Sequence, residues 1–86
     1  MDFDPDGSID HAGPVPPYRQ LAGILAARVG RGDWQPNRAI PSEAHLVQEY
    51  GVARATVRRS IAVLVDQGVL FVVPQRGTYV KGPALP

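Results

Sequence analysis

Apolar positions divide the chain into stretches of two different periods. From Tyr18 they recur at steps of three and four, through Leu21, Leu25 and Val29, with Ala22 and Ile24 widening the stripe. That spacing predicts an amphipathic first helix, opened by Pro16-Pro17 because proline fits the first helical turn. Arg19 and Arg28 fall off the centre of its apolar face, and Gly30 and Gly32 are expected to end it. Leu46, Val47 and Tyr50 mark a second, short helix, for which Ser42 is a suitable N-cap, Glu43 favours the positive end, and Gly51 suits a left-handed C-cap. Val57, Ile61 and Leu64 form the inward line of a third helix, expected from about Arg54 to Gln67 and stopped by Gly68. On its wheel Ala55, Arg59 and Ala62 fall on the opposite side, with Arg58 at the edge.

Beyond Gly68 the pattern changes. "VLFVV" and "TYV" are β-rich runs separated by "PQRG", which predicts a hairpin with Gly at a tight turn. Ala39-Ile40, held out of helical geometry by Pro41, supplies at most a very short extended segment before the second helix. The expected class is therefore α+β, with three helices followed by a two-stranded hairpin. Val57, Ile61, Leu64, Leu70 and Val72 are expected in its core, and Tyr50 and Trp34 as core and surface cover. Residues 1–14 mix acid, Gly and Pro with almost no apolar periodicity and are expected to be disordered. The folded domain is expected over residues 15–82, with residues 83–86 a loose end.

Charge sharpens this outline. Residues 1–10 carry four aspartates and no basic residue, a local charge of −4, while the remainder sets nine basic residues against four acids, a charge of +5. A basic domain with an acidic start points to anionic partners such as nucleic acid or anionic lipid, or to arginines that merely solvate the surface, and position must decide between them. Cysteine is absent, which removes disulfides and thiolate metal sites, and no apolar run approaches the roughly 18 residues that would span a bilayer. The acidic start is unlike a signal peptide, so a cytoplasmic location and no membrane partner are the expectations. His11 lacks the neighbours of a metal ligand, and His45 reads as exposed surface. No phosphate-cradling Gly loop and no nucleophile with an orienting His and acid is present, so neither catalysis nor a cofactor is expected.

A short helix, a tight link containing Gly51, and a longer helix with basic first turns together read as a helix-turn-helix, and the hairpin after it makes a winged helix. The major groove of DNA is about 12 Å wide and admits one helix, amino end near the bases, while the preceding helix crosses the backbone. Small Ala53 and Ala55 permit close approach. Arg54 and Arg58, one turn apart, have the reach for phosphates or guanine acceptors, and Thr56 for a phosphate or a thymine methyl. Arg76 and Gly77 at the hairpin tip suit the adjacent minor groove or a phosphate.

The stretch from Pro16 to Val80 resembles the N-terminal DNA-binding domain of the GntR family of bacterial transcription regulators. The likeness rests on "IPSE" before the second helix, "YGVARATVR" through the turn, "LVDQGVL" leaving the third helix and "RGTYV" in the wing. The resemblance implies a winged helix-turn-helix that reads an operator, most often as a repressor. It carries DNA contact onto Ser42 and Glu43 at the second helix, Arg54, Thr56 and Arg58 in the third, and Gln75, Arg76 and Gly77 at the wing tip. Ala55 and Arg59, on the outward face, complete the candidate set. Three departures stand out: Ala44 replaces the family's usual arginine, Ala53 its usual Ser or Thr cap, and Arg59 a common Glu. The implied partner is double-stranded DNA at a palindromic operator, with a homodimer formed on it. Most family members continue into an effector-binding domain, and no effector pocket is expected within these 86 residues. The alternative from a different class is a winged helix used as a protein-interaction module, its arginines meeting an acidic partner.

Overall fold

A computed structural model describes residues 3–82; Met1, Asp2 and the expected loose end at 83–86 lie outside the described residues. Helix α1 spans Pro17–Arg31, α2 Glu43–Tyr50 and α3 Arg54–Asp66, followed by strands β1 (Leu70–Val73) and β2 (Gly77–Val80). Proline opens α1 as expected, but Gly30 stays helical, and it is Gly32, at φ 89°, that turns the chain out. Ser42 caps α2 by accepting the His45 N–H at 3.1 Å, and Gly51 closes it at φ 64° with its N–H on the Val47 carbonyl. Ala53, at the N-cap of α3, offers no such bond.

The strands pair antiparallel, Leu70 opposite Val80 and Val73 opposite Gly77, with Phe71 and Tyr79 facing one another and stacked at 5.8 Å. Pro74 and Gln75 fill the turn, closed by the Arg76 N–H on the Val73 carbonyl at 3.0 Å. The left-handed position of that turn falls on Gln75, at φ 65°, as well as on Gly77. The expected short strand before α2 is a single bridge, Ala39 to Tyr79, flanked by Asn37 N–H to Val80 O (2.8 Å) and Ile40 N–H to Thr78 O (2.9 Å). This third strand-like segment ties the base of the wing to the body. The fold is a winged helix-turn-helix.

Leu21, Leu25, Leu46, Val57, Leu64 and Leu70 lie at the centre of the core, each 1% exposed or less. Val72 corrects the expected core: it is 55% exposed. It shares a face with Leu70, but two residues further along the wing that face lines an open cleft beside Ile61, Ala62 and Val65 of α3 instead of the core. Residues 3–14, expected without order, are laid against α1. The buried Gln20 amide donates to the carbonyls of Asp10 (2.8 Å) and Val15 (2.7 Å) and accepts the Asp10 N–H (2.8 Å). Ile9 packs on the core, and the Phe3 ring lies where a side chain on Gly23 would stand. Polar composition concealed these anchors, because they depend on one buried amide and one small helical residue.

Candidate nucleic-acid interface

The turn between α2 and α3 is short because Gly51 reverses the chain and Val52 drops into the core, which leaves the first turns of α3 at the surface. Val57, Ser60, Ile61 and Leu64 face inward. Arg54, Ala55, Arg58 and Arg59 are exposed and Thr56 is half-buried, in keeping with the wheel. Ser42, Glu43, Arg54, Gln75 and Gly77 line a cleft of about 430 Å³ between the α2–α3 corner and the wing. Arg76 is exposed at the tip. Seven of the ten predicted site residues thus lie on the α2–α3 corner and three on the facing wing tip.

Two of the predicted arginines are held by neighbours. The Arg58 Nε donates to both carboxylate oxygens of Glu43 at 3.2 Å, pairing the start of α2 with α3. The Arg59 guanidinium lies 3.8 Å from the centre of the Tyr18 ring. Arg54 and Arg76 have no carboxylate within salt-bridge distance among the described residues. The Ser42 hydroxyl oxygen accepts the His45 N–H and so caps α2.

The basic residues at the other end of α1 are neutralised. Arg28 donates to Asp33 (2.9 Å), Glu49 (3.0 Å) and the Tyr50 hydroxyl (3.0 Å) and stacks over Trp34 at 4.4 Å. Burial works against its charge, yet the bonds to Asp33 and Tyr50 outweigh it and raise its pKa. Arg31 bonds Asp33 twice at 2.8 Å and Asp6 at 2.9 Å, which raises its pKa as well. In return Arg31, and then Arg28, hold the Asp33 carboxyl well below the usual carboxylate range. Glu49 is engaged here and by His45 at 3.4 Å, so it does not cap the arginines of α3.

Ser60, absent from the predicted site, is fully buried one turn behind Thr56, its hydroxyl 2.8 Å from the Tyr18 carbonyl and 2.9 Å from that of Thr56. It fixes α1 against the first turns of α3. A serine on an apolar helix face is the one signal that pointed to it.

The model of the bacterial regulatory proteins of the gntR family matches residues 17–80, which is most of the chain. The chain belongs to the GntR family. GntR relatives include the HTH-type transcriptional repressor NagR of Bacillus subtilis (strain 168), 33% identical over 78 residues, covering 91% of this chain and 32% of the repressor. The mannosyl-D-glycerate transport/metabolism system repressor MngR of Escherichia coli (strain K12) is 42% identical over 69 residues, covering 80% and 29%. The chain spans about a third of the length of these relatives. Among solved structures, AraR(DBD) in complex with operator ORR3 is similar at a TM-score of 0.76 and 34% identity, over 93% of this chain and 94% of that one. YtrA of Sulfolobus acidocaldarius, a GntR-family transcription factor, is similar at 0.78 and 31%, over 90% and 81%. No described helix of this GntR domain is long and apolar enough to cross a membrane.

Proposed function

We propose that this domain binds double-stranded DNA in a sequence-specific manner, as the reading head of a cytoplasmic GntR-type transcription repressor that has no catalytic role. Helix α3 enters the major groove and the wing follows the adjacent minor groove. One observation carries the reading: Asp6, Asp33, Glu43 and Glu49 are paired with Arg28, Arg31 and Arg58, while Arg54 at the start of α3 and Arg76 at the wing tip have no carboxylate partner among the described residues. The likeness to a domain solved on an operator supports the same reading.

The roles divide by position. Arg54 reaches a base edge or phosphate at the amino end of α3, with Ala55 keeping the backbone close and Thr56 donating to a phosphate. Glu43 holds the Arg58 guanidinium by its Nε, which leaves the terminal nitrogens free for a guanine. Gln75, Arg76 and Gly77 occupy the minor groove, where the turn at Gln75 brings backbone close to the sugar edge. Two such domains on half-sites about 34 Å apart form a homodimer on a palindromic operator.

Selection from a random duplex library with the purified domain, followed by a salt titration of the winner, tests the proposal. An enriched motif and an association constant that falls steeply with salt are the expected results. Retention without any enriched sequence contradicts sequence reading, and the absence of binding at low salt returns the arginines to an acidic protein partner.

A further inference from the structure

Arg58 and Arg59 follow one another on α3 and therefore point about 100° apart around its axis. Arg58 turns to the start of α2, where Glu43 takes its Nε. Arg59 turns to the start of α1, which Ser60 fixes alongside through its 2.8 Å approach to the Tyr18 carbonyl. The two flanks of the recognition helix thus carry different chemistry. On the first, a cation is half-spent on an acid. On the second, the Arg59 guanidinium stacks on the Tyr18 ring at 3.8 Å and Arg19 approaches the same ring at 5.7 Å. Neither of these two has a carboxylate partner among the described residues.

Stacking matters for what Arg59 can still do. A guanidinium laid face-on against a ring uses its π surface and keeps its N–H edge, with five donors, for a further partner. Two like charges gathered on one aromatic ring without an acid repel one another and favour an anion between or beside them. The major groove is walled by two phosphate strands, so a helix lying in it presents one flank to each. We infer that Arg19, Tyr18 and Arg59 form a phosphodiester-binding site on the α1 flank of the recognition helix, in which Tyr18 is a positioning residue that holds the Arg59 guanidinium edge-outward. This inference rests on the DNA reading and extends it to α1, with Arg19 and Tyr18 as new members.

A contact to phosphate has a signature that a contact to a base lacks. It weakens binding alike on every sequence, and each phosphate lost lowers the salt slope by about 0.9, so the gap between variant and parent narrows about 3.5-fold over a fourfold rise in salt. The test compares the domain with R59Q, R19Q and R19Q/R59Q on the selected duplex and on a mixed-sequence duplex, across a salt series. R31Q, at the far end of α1, is the charge-matched control. The expected result is an equal loss on both duplexes and a slope lower by about 0.9 for each arginine removed, with R31Q unchanged. Y18F keeps the ring and is expected to bind as the parent does; Y18L removes it and is expected to lose the Arg59 share of the slope. Loss confined to the selected duplex makes Arg59 a base reader and overturns the phosphate site, as does a slope that R19Q/R59Q leaves unchanged. A parent domain that shows no salt-dependent binding to either duplex instead removes the DNA reading beneath it.

Discussion

At Arg58 the guanidinium is shared in advance, and that decides what its removal does. With its Nε on Glu43 the side chain is held before any ligand arrives, so less conformational entropy would be lost in the proposed contact of its terminal nitrogens with a base. R58A is therefore expected to weaken binding to the selected duplex by about 1–3 kcal/mol while leaving mixed-sequence duplex far less affected, measured by competition titration. Ser60 acts on stability instead. Its buried hydroxyl bridges α1 and α3, and S60A leaves the space nearly filled while deleting the bond. A loss of about 1 kcal/mol is expected, which for a domain of this size lowers the thermal midpoint by about 4–8 °C; an unchanged melt contradicts the assignment.

Among the elements, those with a strong local signal were legible in the sequence. The stripe from Tyr18 to Val29, the Ser42 cap and the Gly51 stop each rest on residues within one or two turns of one another, and α1, α2 and the link appear where those residues set them. Non-local features were not legible. Tyr18 and Arg59 are brought together only by the packing of α1 on α3, and Val72 lies outside the core because its face of the wing lines an open cleft beside α3. The arm ahead of α1 escaped notice for the same reason, since its order depends on Gln20 and Gly23 rather than on its own composition. A53S supplies the side-chain cap that α3 lacks and is expected to raise stability by about 1 kcal/mol in a urea titration. Q20A strips the three bonds that hold residues 10–15 and is expected to speed amide exchange there while leaving α3 protected.

Across the whole molecule, charge is sorted to the two ends of α1, a helix about 22 Å long. At its carboxyl end Arg28 and Arg31 meet Asp33, Glu49 and Asp6; at its amino end Arg19 and Arg59 meet no acid among the described residues. The neutralised end is structural and titrates accordingly. Asp33 has a folded pKa below its unfolded value of about 4, so its contribution is fully present above that value and is lost as pH falls through and below it. The thermal midpoint of the parent is expected to exceed that of D33N by a constant margin above about pH 5, and the margin to shrink below about pH 4. A margin that stays level to low pH contradicts the ion pairs. The unanswered end, with α3 and the wing, is the face assigned to DNA. Amide chemical shifts followed by NMR while the selected duplex is titrated into the domain test that assignment most directly. Perturbations are expected at residues 54–59 and 75–77 with the Arg28–Arg31 turn silent, and a map centred on that turn instead overturns the assignment.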